Sequence, residues 1–452
     1  MKVIIAGDGK LGSSLARQLS AEGNDITIID YNEHVLENSA ERYDVMVVNG
    51  NCASKDVLLN AGVQEADLLI AVAAADEVNL LCCMTAHGLN PGIHTIARVR
   101  NPEYTQQVYE MRSQFALSMI VNPERQAATE IEKLLKYPGF LQRDTFAKGR
   151  VEIVELRVEA DSKLCDVPLS NIQDIVKCKV LVCAVLRDGQ AIAPGGGFVI
   201  REGDRIFVTA LNDNLSILLK NLGIITHKAK NVMICGGGRI SYYLVKLLEK
   251  SGMNLQIVEK DRERCEELAA MLPDVDIIHG DVSSQFLLES QGIKDVDALI
   301  TLTGLDELNM MVSLFGEHSG VSQVITKLGR MDNTGVLGDL PFGSIVNPGE
   351  LTRNRIVRYV RAMNNQAGAA RSIHRIADCQ MEAMEFVVDA TTPNCGVPLK
   401  DIKLKKGVLI ASIAKGVQID IPHGGSSYGV GDTLVVVADS GKTIYHLNEI
   451  FE

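Results

Sequence analysis

A chain of 452 residues with a net charge of −12 exceeds what one hydrophobic core can serve and is too acidic to hold nucleic acid through a general basic surface. Hydrophobic residues make up 46% of it and charged residues 23%, as in a soluble globular protein, and no apolar run approaches the ~20 residues that span a bilayer. The ten cysteines form no Cys-x-x-Cys pair and lie in apolar patterns, so they read as reduced, buried thiols. The nine histidines make no metal-ligand spacing, and no Ser/His/Asp or acid–base set stands out. The sequence opens directly on a β-branched run that leaves no room for a signal peptide, and a cytoplasmic location is the expectation.

That run, Met1 to Ala6, leads into Gly7-Asp8-Gly9-Lys10-Leu11-Gly12, and a helical pattern follows through Leu15 and Leu19. In a dinucleotide-binding turn Gly7 permits the bend, Gly9 lets the backbone approach a pyrophosphate, and Gly12 lets the helix pack on the strand. The free N–H groups of the helix start then face the phosphates. Asp30 ends the next strand-like run, Asp25 to Asp30, about twenty residues on, where an acid would bond ribose hydroxyls. Further apolar runs at Asp44–Val48, Leu68–Val72, Thr95–Val99 and Ser118–Val121 alternate with helical stretches, which predicts a parallel sheet covered on both faces. Asn122-Pro123 opens another helix, and Pro138-Gly139 breaks it, which suggests a helix–turn–helix arm.

From Val151 the pattern turns to period two, with strand-like runs at Val151–Val158, Val180–Val185 and Arg205–Val208 between glycine-rich turns. Then the whole program recurs. Asn231 to Ser241 repeats the opening stretch, with Gly236, Gly238, Arg239 and Ile240 in the motif and Ser241 at its third glycine. Glu259 stands where Asp30 does, Gly280-Asp281 repeats Gly50-Asn51, and Asp306-Glu307-x-Asn309 repeats Asp76-Glu77-x-Asn79. Ile345-Val346-Asn347-Pro348 repeats Ile120 to Pro123, Val397-Pro398-Leu399 repeats Val167-Pro168-Leu169, and Gly431-Asp432 repeats Gly203-Asp204. Matches at a nearly constant offset mean a duplication. The expected organisation is a Rossmann-like domain (1–122), a helical arm (123–150) and a small β-rich domain (151–223), then the same again as 229–347, 348–377 and 378–452.

Two copies of such a unit resemble the double-RCK (regulator of potassium conductance, or KTN) proteins, and the resemblance covers essentially the whole chain. It implies tandem Rossmann-like α/β domains, each followed by a small α+β lobe. It also implies a cytosolic ring, of four chains by family precedent, that binds NAD or NADH, or ATP and ADP, and gates a potassium-translocating membrane subunit from the inner face.

The candidate site residues follow the repeat. Asp30 and Glu259 would accept from ribose hydroxyls and repel a 2′-phosphate, which favours NAD(H) over NADP(H). Asn51 and Asp281, with their neighbours Cys52 and Val282, would flank the adenine, or serve only as turn residues bonding their own backbone. Ala73 and Ala74 are small where a ligand lies close, with Thr303 in the second copy. Asn79 starts or caps the next helix, and Asp76 and Glu77 either face the ligand or complement the helix dipole. Arg98 interrupts an apolar strand and, with Arg100, needs an anionic partner, a phosphate or an interface acid. Lys327 and Arg330 are their counterparts. Ser241 and the weaker basic pair predict a tighter first site. The rival reading from another class is an NAD-dependent oxidoreductase, which requires a positioned acid or base that the sequence does not display.

Overall fold

The computed structural model describes residues 1–136, 140–223, 229–329, 343–364, 370–378, 380–440, 444 and 446–452. Pro138-Gly139 and Arg330 lie outside the described residues. Two compact units form: one of Met1–Thr129, Gly238–Lys246 and Asn347–Val357, the other of Glu130–Gly237, Leu247–Val346 and Arg358–Glu452.

In the first unit, strands β1 (Lys2–Ala6), β2 (Asp25–Asp30), β3 (Met46–Asn49), β4 (Leu68–Ala71), β5 (His94–Arg98) and β6 (Met119–Val121) make a parallel sheet in the order β3-β2-β1-β4-β5-β6. Helices α1 (Lys10–Ala21), α2 (Glu33–Arg42), α3 (Lys55–Asn60), α4 (Asp76–Leu89) and α5 (Pro102–Glu110) connect them. The central strands are buried on both faces, which is why Val3–Ala6 and Leu68–Ala71 read as continuous apolar runs rather than alternating ones. The order reverses between β1 and β4, the switch point beyond whose carboxyl ends a doubly wound sheet takes its ligand in a crevice. Helix α6 (Pro123–Lys136) starts after β6, with Asn122 Oδ1 accepting from Arg125 N–H at 2.9 Å.

The first small domain belongs to the second unit. Strands β7 (Gln142–Phe146), β8 (Val151–Arg157), β9 (Val180–Arg187), β10 (Gln190–Ile192) and β11 (Arg205–Leu211) form an antiparallel sheet ordered β10-β9-β11-β8-β7, with α7 (Ile172–Val176) and α8 (Asn212–Leu222). The expected helix–turn–helix arm is corrected here. Gln142–Phe146, counted with the arm in the sequence, is a strand paired along β8, and its polar run is held by charge: Arg143 forks onto Glu152.

A second parallel sheet repeats the first, β14-β13-β12-β15-β16-β17. Its strands are β12 (Asn231–Cys235), β13 (Asn254–Glu259), β14 (Asp276–His279), β15 (Ala298–Thr301), β16 (Gln323–Lys327) and β17 (Ser344–Val346), with α9 (Arg239–Leu248), α10 (Arg262–Met271), α11 (Gln285–Ser290) and α12 (Asp306–His318). Helix α13 (Pro348–Asn364) follows, and then β18 (Ser372–Ile376), β19 (Met381–Val387), β20 (Val408–Lys415), β21 (Gln418–Asp420) and β22 (Thr433–Asp439) in the order β18-β19-β22-β20-β21. Here too a strand, β18, starts inside the stretch counted as arm.

The two small sheets share one apolar cluster. Phe146, Ile153, Cys183 and Phe207 of the first pack with Ile376, Met381, Ala411 and Val435 of the second. Charge is sealed at its edge: Arg205 Nη1 bonds both oxygens of Asp378 at 2.9 Å, and its Nε donates to the buried carboxylate of Glu155. Burial pushes the Glu155 carboxyl up, and the Arg205 guanidinium pulls it back. Removing one member of such a pair leaves an uncompensated buried charge, so Arg205→Ala is expected to destabilise the second unit by about 3–5 kcal/mol. Denaturant midpoints of the full chain check this, and a shift worth under about 1 kcal/mol would refute it.

Candidate functional site

The crevice at the end of β1 is built as the glycine spacing demands. Gly7 has φ +105°, and a Cβ there would lie 2.8 Å from Ala73 N. A Cβ on Gly12 would fall 1.9 Å from Gly7 O, so only glycine lets α1 sit this close to its own loop. A Cβ on Gly9 would meet nothing within 4 Å: that side of the loop is open. Helix α1 has no side-chain cap and no acid in its first turn, which leaves its N–H groups for an anion. Lys10 is exposed beside them, while Leu11 anchors the helix in the core.

Asp30 does two things at once. Its Oδ2 accepts from Asp8 N–H at 2.7 Å and its Oδ1 from Asn32 N–H at 2.9 Å, which clamps the glycine loop to the end of β2. Each carboxylate oxygen keeps a second lone pair, so the clamp and a ribose hydroxyl are compatible. Glu259 repeats this, Oε2 accepting from Gly237 N–H at 2.6 Å and Oε1 from Asp261 N–H at 2.8 Å. Gly236 has φ +108°, a Cβ on Gly238 would meet nothing within 4 Å, Arg239 is exposed, and Ile240 is buried. Ser241 is fully buried in place of the third glycine.

At the end of β4, Asn79 is not a helix cap as expected. Helix α4 already starts at Asp76, and Asn79 is fully buried inside its first turn. Its Oδ1 accepts from Ala73 N–H at 2.7 Å, and its Nδ2 donates to Ala73 O and Arg98 O at 3.0 Å each. One side chain thus ties β4 to β5 where both would otherwise leave backbone groups unpaired. Asp76 also exceeds a dipole role: Oδ2 accepts from Arg100 N–H at 2.7 Å and from Asn101 N–H at 2.8 Å. Glu77 accepts from the Tyr104 hydroxyl at 2.6 Å.

Arg98 and Arg100 sit together on this edge. Arg98 Nη2 donates to Ala73 O at 2.7 Å, and Arg100 Nη2 to Ala74 O at 2.5 Å. Burial lowers the Arg98 guanidinium to about 10, Arg100 and Arg239 add repulsion, and Glu124 and Asp76 offset part of it. Arg98 Nε, Arg100 Nε, Asp76 Oδ1 and Glu124 Oε2 are buried without a hydrogen bond, with Asp76 Oδ1 3.7 Å from Arg100 Nε, and an anionic ligand would supply acceptors for the two guanidinium Nε groups.

The second copy keeps this backbone frame and changes its charge. Asn309 bonds Thr303 N–H, Thr303 O and Lys327 O, while Lys327 Nζ donates to Thr303 O at 2.7 Å, the place Arg98 takes in the first copy. Gly329 N–H donates to Asp306 Oδ2 at 2.9 Å as Arg100 does to Asp76, so the backbone twin of Arg100 is a glycine.

The adenine-flanking candidates are less telling. Asn51 Oδ1 accepts from Ala53 N–H at 3.0 Å, a local turn bond, and Cys52 is buried in the core behind it. Asp281 bonds Ser283 N–H at 2.9 Å and pairs with Lys260 at 2.7 Å, which holds its carboxyl down at about 2, and Val282 is buried.

Asp8 stands inside the first glycine loop. It is 2% exposed, and neither carboxylate oxygen has a hydrogen-bond partner in bonding geometry. Burial raises its carboxyl to about 6, Ser39 eases this, and the Asp30 charge adds to it.

Comparison with known proteins agrees along the whole chain. The TrkA-N domain model matches residues 3–123 and 232–348, and the TrkA-C domain model matches 153–223. A Trk system potassium uptake protein TrkA homolog of Archaeoglobus fulgidus is 31% identical, with both chains covered in full. The Trk system potassium uptake protein TrkA of Vibrio alginolyticus is 30% identical over 100% of this chain and 99% of its own. Among solved structures, the GsuK RCK domain shares the fold with a TM-score of 0.60 at 16% identity, covering 97% of this chain and 92% of that one. The GsuK channel bound to NAD gives 0.60 at 17% identity, covering 97% and 77%.

The raised Asp8 carboxyl has a definite pH signature. A folded-state value above the ordinary 3.8 makes the ionised form unfavourable, so stability is highest when Asp8 is protonated and falls as pH rises from 3.8 through about 6. Asp8→Asn is therefore expected to stabilise the chain at pH 7.5 by at most about 3 kcal/mol and to leave it unchanged at pH 4. Melting temperatures at the two pH values decide it; equal gains at both would remove the titration from the explanation.

Proposed function

This chain belongs to the TrkA family, and from that premise we propose that it is a nucleotide-sensing regulatory subunit whose occupancy gates a membrane potassium transporter. Its role is in Trk-type potassium uptake. The observation that carries the nucleotide reading is the first crevice. An uncapped helix start, a glycine with open space before it and two buried guanidinium Nε groups that make no hydrogen bond converge on one edge. In this reading Gly7, Gly9 and Gly12 cradle a pyrophosphate, Asp30 takes the ribose hydroxyls, and Arg98 and Arg100 take the remaining anionic groups. NAD or NADH fits the lone strand-end acid, and ATP or ADP would use the same cradle. Gly236, Gly238 and Glu259 repeat these roles in the second copy, with Lys327 in the place of Arg98.

The finer parts of the reading follow the family. We assign residues 1–122 and 229–347 to the nucleotide lobes and 151–223 and 378–452 to the small lobes. The partner is a TrkH- or TrkG-like membrane subunit, and four chains form a ring docked on the inner face of the membrane. No helix among the described residues is long and apolar enough to cross a membrane. The match to potassium-uptake proteins over the full length favours a binding module over a hydride-transfer enzyme.

Asp30→Ala is expected to lower NAD and NADH affinity at least about tenfold, since a hydrogen bond to a charged group contributes roughly 1.5–3 kcal/mol. Glu259→Ala, in the copy with less basic charge, should cost less. Calorimetry on folded variants measures both, and unchanged binding in Asp30→Ala would refute the site. Deleting the gene should lower cellular potassium uptake, with wild type restoring it and Asp30→Ala restoring it only in part. Normal uptake in the deletion strain would refute the transport role.

A further inference from the structure

Helix α9 starts in the second glycine motif, yet one of its side chains is built into the first crevice. Tyr243 is 9% exposed, and its hydroxyl donates to Arg100 O at 2.9 Å and accepts from Asn122 Nδ2 at 3.0 Å, with Thr105 Oγ1 at 3.2 Å. A buried tyrosine hydroxyl is costly unless bonded, and here it is bonded on every side. Burial raises the phenol, which keeps its proton for donation.

Its two main partners are the two ends that carry the site's charge. Arg100 is gripped at its N–H by Asp76, at its side chain by Ala74 O, and at its carbonyl by Tyr243. Asn122 caps α6 through Arg125 N–H, and the first turn of α6 bears Glu124, whose Oε1 lies 3.9 Å from Arg100 Nη1. One hydroxyl therefore fixes the loop after β5 relative to the start of α6. The repeat does not reproduce this device. The position matching Tyr243 is Ser14, too short for such a reach, and it accepts instead from Arg353 Nη1 at 3.0 Å.

We propose that Tyr243 is a positioning residue of the first nucleotide site. Its hydroxyl holds the Arg100 backbone and the Asn122 cap so that the Arg100 guanidinium and the first turn of α6 meet the anionic part of a bound nucleotide in one fixed geometry. The second glycine motif's helix is thereby a component of the first site. This inference rests on the nucleotide-binding reading above and adds the residue that transmits it to α6. Because α6 is the helix that leaves the nucleotide lobe, ligand charge acting on Arg100 also acts on how α6 is held.

The test uses the full chain carrying Glu259→Ala to weaken the second site, with adenosine, ADP and ATP as probes of equal base and graded charge. Tyr243→Phe keeps the ring and removes the hydroxyl. Its affinity for ATP and ADP should fall about tenfold or more while adenosine changes by less than about twofold. Asp30→Ala, measured in parallel, should weaken all three probes alike. A Tyr243→Phe protein that loses adenosine as strongly as ATP, or loses neither, would overturn the positioning role while leaving the nucleotide site standing. Absence of binding by the parent protein would overturn both. If Tyr243→Phe does not fold, Thr105→Val thins the same hydrogen-bond node, and a loss unrelated to probe charge would again refute the proposal.

Discussion

At the carboxyl edge of a parallel sheet the ladder between neighbouring strands ends, and their backbone groups need other partners. In this protein side chains supply them. Asn79 and Asn309 each close three backbone bonds while fully buried. Asp30 and Glu259 each hold the N–H inside the glycine loop. Without these four residues the crevice has no fixed walls, and the positions of Arg98, Arg100, Lys327 and the helix starts would not be defined. The duplication has kept this frame in both copies. What differs is what the frame displays: two guanidiniums in the first, and one ammonium and a glycine in the second.

Much of this was legible in the sequence because it depends on short-range constraints. A glycine whose added Cβ would fall 1.9 Å from a loop carbonyl, or one that holds φ at +105°, leaves a mark no other residue can leave. The parallel, doubly covered sheets follow from apolar runs alternating with helices, and the repeat marks the same elements in both halves. The parallel between Lys327 and Arg98 was likewise visible. Other features were hidden for physical reasons. Asn79 looked like a cap because an asparagine after a strand usually is one, and only tertiary contact with Arg98 O reveals the staple. Strand β7, Gln142-Arg143-Asp144-Thr145-Phe146, has one apolar anchor in Phe146 and is otherwise held by polar pairs to other strands, so its period is silent. Tyr243 lies 143 residues from the carbonyl it holds, and no local pattern records that distance.

The distribution of buried charge separates the two halves of the molecule's work. In the second unit the Arg205 guanidinium is hydrogen-bonded to two carboxylates, Glu155 and both oxygens of Asp378. In the first crevice the charges are close but incompletely matched, with polar atoms of Arg98, Arg100, Asp76 and Glu124 buried and unbonded. Matched charge makes a joint rigid, and unmatched charge makes a site receptive. The same residue types thus hold one region shut and keep the other ready for an anion.

The apolar face shared by the two small sheets has a consequence for the origin of the long chain. A half-length ancestor would have carried one such sheet, with residues like Cys183 and Phe207 open to water, and could bury that face only against another molecule of itself. Such a pairing depends on protein concentration and loosens on dilution. Joining two copies end to end replaces an encounter between molecules with a tethered one, whose effective concentration is commonly in the millimolar range. The fused chain keeps this face covered however scarce the protein is in the cell, and once covered permanently, each copy is free to diverge without having to match itself.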